Sequence, residues 1–253
     1  MRSINFKIYT LGCKVNQYDS GRLEQLLLSG GFKLVNKQAE LAIINTCAVT
    51  KTAILKDKKT ISLARKENPG AKIVVMGCWP KVYEVDDSVE LIGKGKKVEE
   101  IAKMIKKMYR LDDKNNFSHS SCLISSNLDR SRYFIKIQDG CNQFCSYCII
   151  PYTRGRLKSR PQSQVISEAK AAIASGYREL ILSGIHLGLY GKEKVNSKTD
   201  LVGLLKKLVK IKGLGRLRLS SIEITEVTDE LIALMTSERK LCQHLHISLQ
   251  SGS

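Results

Sequence analysis

Hydrophobic and polar positions follow two rhythms along this chain. "NFKIYTLG" from Asn5, "LAIINT" from Leu41 and "AKIVVMG" from Ala71 are short and rich in apolar residues. All three runs predict strands, and the apolar "LAIINT" and "AKIVVMG" predict strands of the buried type. Between them the rhythm lengthens. "NQYDSGRLEQLLLSGGF" puts Leu23, Leu26 and Leu27 at helical spacing and stops at Gly30-Gly31. "TAILKDKKTISLARKENPG" reads as a helix closed by Asn68-Pro69-Gly70, and "KVEEIAKMIKKMYR" as a basic amphipathic helix. Strand and helix in turn predict an α/β fold, an open and mostly parallel sheet.

Residues 112–131 are polar and rich in Ser, Asn and Asp, the composition of a linker, and Cys122 inside it reads as an incidental thiol. The expected organisation is therefore an N-terminal domain over 1–111, a linker over 112–131 and a second domain over 132–253. In the second domain "YFIKIQD", "RELILSG", "RLRLSSIEI" and "HLHISLQSGS" predict strands. "SQVISEAKAAIASGY", "LVGLLKKLVKIKG" and "TDELIALMTS" predict the helices between them. Four βα-type repeats suggest a parallel barrel or part of one. The last strand has no helix after it, so the barrel reads as incomplete at its C-terminal end.

Composition narrows the field. The 253 residues suffice for one large domain or two ordinary ones, and 43% hydrophobic content argues against global disorder. With 42 basic and 24 acidic residues the net charge is +18. That excess favours an acidic partner, nucleic acid first, over the plainer reading of lysine-rich solvated helices. The opening "MRSINFKIYTLG" lacks the apolar core and cleavage site of a secretory signal, and no run reaches the length of a membrane helix. A reducing, cytoplasmic setting follows, in which eight cysteines point to metal binding or catalysis before disulfides.

"GCNQFCSYC" sets Cys141, Cys145 and Cys148 in a CxxxCxxC loop directly after a predicted strand. A cubane iron–sulfur cluster needs four outside ligands, so three thiolates leave one iron open for a small molecule. Tyr147 offers an aromatic face to such a ligand. The competing reading is a structural zinc site completed by Cys122, His186 or His246. A second trio follows another logic. Cys13, Cys47 and Cys78 each come just after an apolar strand, 34 and 31 residues apart. In an open parallel sheet the carboxyl ends of strands gather at one edge, so three distant thiols converge there.

The cysteine loop in this context resembles the radical S-adenosylmethionine enzymes, and the two trios together resemble the methylthiotransferases. "YTLGCKVNQYDS", "INTCAVT", "KIQDGCNQFCSYCIIPYTRGRLKSR", "SGIHLGLYG", "LRLSSIEI" and "HLHISLQSGS" carry the likeness. The first and fourth are most similar to the branch acting on N6-threonylcarbamoyladenosine at tRNA position 37. The sister branches act on isopentenyladenosine in tRNA or on a ribosomal protein. The resemblance implies two [4Fe-4S] clusters. Cys141, Cys145 and Cys148 hold the one that cleaves S-adenosylmethionine; Cys13, Cys47 and Cys78 hold an auxiliary one carrying the sulfur to be inserted. It also implies a methylthio group placed at C2 of adenosine 37 in the tRNA anticodon loop. An electron donor such as a flavodoxin or ferredoxin, and a sulfur donor, complete the implied partners.

Supporting residues are read beside these. Ser183 and Gly184, ending "ELILSG", are expected at the active rim of the barrel. Glu223 is a candidate contact to the cofactor's ribose. His244, His246, Ser248 and Gln250 share one face of "HLHISLQ", expected to line the cavity while the apolar face points outward. Arg154, Arg156, Lys158 and Arg160 are expected to hold a carboxylate or RNA phosphates. Three departures from the family pattern stand out: Trp79-Pro80-Lys81 after Cys78, Ser248 in place of proline, and the missing end of the barrel with its small RNA-binding domain. A non-catalytic iron–sulfur RNA-binding remnant is the reading from outside enzymology.

Overall fold

The computed structural model describes residues 3–81, 89–93, 95–111, 132–193 and 200–252. The expected linker, with Cys122, lies outside the described residues. In chain order the strands and helices are β1 (Asn5–Thr10), α1 (Lys14–Leu28), β2 (Lys33–Leu34), β3 (Leu41–Thr46), α2 (Lys51–Glu67), β4 (Lys72–Gly77), β5 (Leu91–Ile92) and α3 (Val98–Met108). There follow β6 (Arg132–Lys136), β7 (Gln138–Asp139), α4 (Ile150–Arg154), β8 (Lys158–Ser159), α5 (Gln162–Ala174) and β9 (Glu179–Ser183). The last are α6 (Leu201–Leu208), β10 (Arg216–Leu219), β11 (Ser221–Ile222), α7 (Asp229–Ser237) and β12 (His246–Ile247). The described residues fall into two compact units, one drawn from 1–126 with 145–154, the other from 127–144 with 155–253.

The first unit is built on a five-stranded sheet in the order β2-β1-β3-β4-β5, with every pair parallel. The central strand β3 is buried along its whole length. Its residues alternate between two cores, which is why "LAIINT" has no polar face. Leu41 and Ile43 pack with Leu23, Leu27, Ile101 and Ile105 of α1 and α3. Ala42 and Ile44 pack with Ile61 and Ala64 of α2. Thr50 caps α2 by accepting the Ala53 N–H, and Asn68 closes it by accepting from Ala39 and donating to the Ala64 carbonyl. Helices on opposite faces of β1 and β3 make the gap between those strands a topological switch point, where a ligand crevice opens beyond the carboxyl ends.

The second unit has a parallel sheet ordered β10-β9-β6. Tyr133, Ile135, Leu180, Leu182, Leu217 and Leu219 are buried within it. Val165, Ala169 and Ala172 form the buried stripe of α5. Two expectations change here. "RLRLSSIEI" is not one strand: the Ser220 N–H donates to Leu182 O, and the chain then leaves β9 so that β11 pairs with β12 instead. "HLHISLQ" narrows to the two residues of β12 because its partner β11 offers only two. Among the described residues no helix is long and apolar enough to cross a membrane.

Candidate functional site

The first-unit cysteines sit where the sheet predicts. Cys13 caps the start of α1 just beyond β1, Cys47 follows β3 and Cys78 follows β4. A polar network staples these strand ends. Asn45 donates to the Asn16 carbonyl and to Ser20 Oγ, and Thr10 donates to the same Ser20 oxygen. Thr46 Oγ1 donates to Met76 O while the Cys78 N–H donates to Thr46 O. A Cβ on Gly12 would stand 2.9 Å from Cys47 Cβ, so the residue before Cys13 lies directly on Cys47. Gly77, before Cys78, has φ +97°, and its Cβ would meet Asn45 Oδ1 at 2.6 Å and the Thr46 amide at 2.7 Å. Only glycine permits that turn.

The three thiols share one environment. Burial pushes the Cys47 thiol up, a backbone bond at Val49 pulls it down, and the neighbouring Cys78, Cys13 and Asp57 add to the rise. Cys47 and Cys78 are buried and Cys13 is exposed, so the trio opens on one side. Asp57, fully buried on α2, accepts the Cys47 N–H with both oxygens at 3.2 Å. Burial raises its carboxyl from 3.8 to about 7. Among the described residues no three His, Cys, Asp or Glu side chains close on a single ion. A cubane spreads its ligands over separate irons, so such a trio fits a cluster where it would not fit mononuclear zinc.

The CxxxCxxC loop begins after β7, which pairs antiparallel with β8. The Cys141 N–H donates to Gly155 O, and the Leu157 N–H to Asn142 Oδ1. Cys141 is buried, with its sulfur 3.3 Å from His186 Nδ1 and 3.4 Å from the Gln143 nitrogen. His186 Nε2 faces the buried Glu226 carboxylate. His186 thus stands against Cys141, and Glu226 behind it was not foreseen. Cys145 is exposed, Cys148 half-buried, and the Cys148 N–H donates to Cys145 O. Tyr147 is 75% exposed, a ring presented to solvent.

The supporting residues divide. Ser183 ends β9, buried, its hydroxyl donating to Ile135 O, and Gly184 follows close to Gln138. Glu223 is half-buried and accepts the Gln250 amide at 3.1 Å. His244, His246 and Gln250 are exposed, and so is Leu249 on the alternate face at 79%, so the expected inward and outward faces are not distinguished there. The basic stretch is not one surface patch. Arg154 pairs with Asp19 and Arg160 with Glu168, which leaves Arg156 and Lys158 exposed. The Asp57 signal lay in α2: the stripe Ile54, Ile61, Ala64 includes position 57 at helical spacing, and an acid on a buried stripe needs a reason.

Residues 135–253 match the Radical SAM superfamily, and residues 5–96 match Uncharacterized protein family UPF0004. Over nearly its whole length the chain is similar to methylthiotransferases of tRNA. The threonylcarbamoyladenosine tRNA methylthiotransferase MtaB of Chlamydia pneumoniae is 37% identical over 98% of this chain and 58% of its own length. The Bacillus subtilis protein of the same name is 35% identical over 97% and 57%. A tRNA-2-methylthio-N(6)-dimethylallyladenosine synthase of Carboxydothermus hydrogenoformans is 34% identical over 100% and 61%. The chain thus spans about three fifths of the length of these curated relatives. In fold it is similar to the radical S-adenosylmethionine methyltransferase TsrM of Kitasatospora setae, with TM-score 0.65 and 14% identity over 98% of this chain and 59% of that one.

Proposed function

We propose that this chain is a cytoplasmic tRNA methylthiotransferase that acts at C2 of N6-threonylcarbamoyladenosine 37. The observation that carries the reading is the gathering of Cys13, Cys47 and Cys78 at the carboxyl edge of one parallel sheet, in a chain that also holds the CxxxCxxC loop. Two three-thiol sites suit an enzyme that needs both a radical source and a sulfur carrier. Cys13, Cys47 and Cys78 are the ligands of one [4Fe-4S] cluster, and Cys141, Cys145 and Cys148 those of a second that binds S-adenosyl-L-methionine. When bound, such clusters supply one-electron chemistry on the sulfonium and a sulfur for insertion.

The chain's own residues prepare these sites. The Cys47 N–H fixes Asp57, and Thr46 holds the turn at Cys78: its carbonyl accepts the Cys78 N–H and its hydroxyl accepts the Trp79 N–H. His186 orients the Cys141 sulfur, backed by Glu226. The ring of Tyr147 is the aromatic contact for a ligand, with Ser183, Gly184 and Glu223 as further contacts for the methionine and ribose parts. The +18 charge favours a polyanion such as tRNA. An electron donor such as a flavodoxin or ferredoxin, and a sulfur donor, are required partners. The isopentenyladenosine branch is a second reading, because its relative at 34% identity falls within the range set by MtaB proteins at 33% and 37%.

Nucleoside mass spectrometry of tRNA from cells with and without the gene decides between them. Loss of 2-methylthio-N6-threonylcarbamoyladenosine on deletion is expected. Loss of the isopentenyladenosine derivative instead would move the assignment to the sister branch, and no change in either would remove it.

A further inference from the structure

Arg154 ends α4, six residues after Cys148, and belongs to the first unit. Its side chain is 8% exposed. Nε donates to Cys78 Sγ at 3.2 Å, Nη1 donates to Asp19 Oδ2 at 2.8 Å, and Nη2 donates to Asn16 Oδ1. The acceptors are fixed in advance. Asn16 is fully buried, and its amide nitrogen already donates to Leu11 O at 2.7 Å and Thr46 O at 2.8 Å, which turns its oxygen to the arginine. Asp19 lies one helical turn along α1 and is 9% exposed on its side chain. Taking a charge pair out of water costs several kcal/mol per ion before attraction repays it. The fold accepts that cost at the sulfur of one thiol of the converging trio. A planar guanidinium serves three directions at once, which a lysine ammonium on its flexible stem does not.

We propose that Arg154 is a positioning residue of the Cys13/Cys47/Cys78 centre: its guanidinium orients the Cys78 sulfur as a ligand and favours an added electron on a cluster held there. The inference rests on the reading of that trio as a cluster site. Outer contacts that hold a ligand sulfur and place a cation beside it shift a cluster toward reduction. The mount matters too. The cation rides on the same segment of the first unit that carries Cys145 and Cys148.

The test uses the full chain with Cys141, Cys145 and Cys148 all replaced by alanine, reconstituted without oxygen using iron and sulfide. Iron and acid-labile sulfide per chain are measured, and a redox titration followed by electron paramagnetic resonance gives the midpoint potential. Arg154→Gln in that background should hold no more than half the iron of its parent, and what remains should reduce at a more negative potential. If Arg154→Gln fails to fold by the emission of buried Trp79, Arg154→Lys replaces it. That variant keeps the charge beside Asp19, loses the Nε donor to Cys78 and should show the same negative shift. Unchanged iron and unchanged potential in a folded variant would overturn the role of Arg154. A parent that takes up no iron would instead overturn the reading of the trio.

Discussion

Asp57 allows the energetics of the candidate sulfur-carrying site to be weighed. It is fully buried, and its bonds are to the Cys47 N–H. Burial lifts its carboxyl from 3.8 to about 7. Below about pH 4 the group is neutral in folded and unfolded chains and costs nothing. As pH rises the unfolded carboxyl ionises first, so the folded state binds the extra proton and stability falls through the window from about 4 to about 7. Above that window the full penalty stands, about 4 kcal/mol at roughly 1.4 kcal/mol per pH unit. Asp57→Asn removes the ionisation and keeps an oxygen for Cys47. Its new amide NH2 carries a fixed cost of about 1–3 kcal/mol if unpaired, but that cost does not change with pH.

The quantity to measure is therefore the pH dependence of the difference between the two proteins. Between about pH 5 and about pH 8 the variant should gain roughly 2–3 kcal/mol on the parent. At a urea slope of about 2 kcal/mol per molar, the midpoint gap widens by about 1 M. Trp79 is the only tryptophan and is buried in the same unit, so its emission follows this unit's unfolding in the metal-free, reduced chain. A gap that stays flat across that range would show that Asp57 is not a buried acid held against its charge.

Other outcomes follow from the same geometry. Thr50→Ala removes the α2 cap and should lower stability by about 1 kcal/mol in the Trp79 transition. Gly77→Ala forces a side chain into a positive-φ turn against Thr46 and Asn45, so a loss above about 3 kcal/mol and a fall in iron content after reconstitution are expected. Cys145→Ala should bring reductant-dependent release of 5′-deoxyadenosine to background, by chromatography of the reaction. Cys47→Ala should leave that release in place and remove the methylthio nucleoside, which separates the two trios by function.

Local periodicity was legible wherever tertiary partners agreed with it. "LAIINT" could be read end to end because a strand between two cores has no polar face to confuse the pattern, and the placement of Cys13, Cys47 and Cys78 followed from strand ends alone. The reading failed where length depends on a partner. "RLRLSSIEI" and "HLHISLQ" carry strand-like alternation throughout, yet they pair only as far as β9 runs on one side and as β11 and β12 match on the other. At "RGRLKSR" composition does not say which anion each cation meets: Arg154 and Arg160 pair with the carboxylates of Asp19 and Glu168, while Arg156 and Lys158 stay exposed.

Those partners lie 135 positions away for Arg154 and only a few for Arg160, counted along the chain, and only the first is informative about function. An arginine with a glutamate eight residues on, at a site still open to solvent, is ordinary helix-and-loop electrostatics. A buried arginine that meets an aspartate, an asparagine and a cysteine from distant elements is not explained by stability, since such pairs return about what their desolvation costs. The same reasoning applies to Asp57 beside Cys47 and to Glu226 beyond His186 and Cys141. Arg154 reaches the Cys78 thiol itself, Asp57 the backbone N–H of Cys47, and Glu226 stands behind His186, which meets the Cys141 sulfur. Hydrophobic packing accounts for the sheets; these three groups are what the proposed cluster sites require in addition.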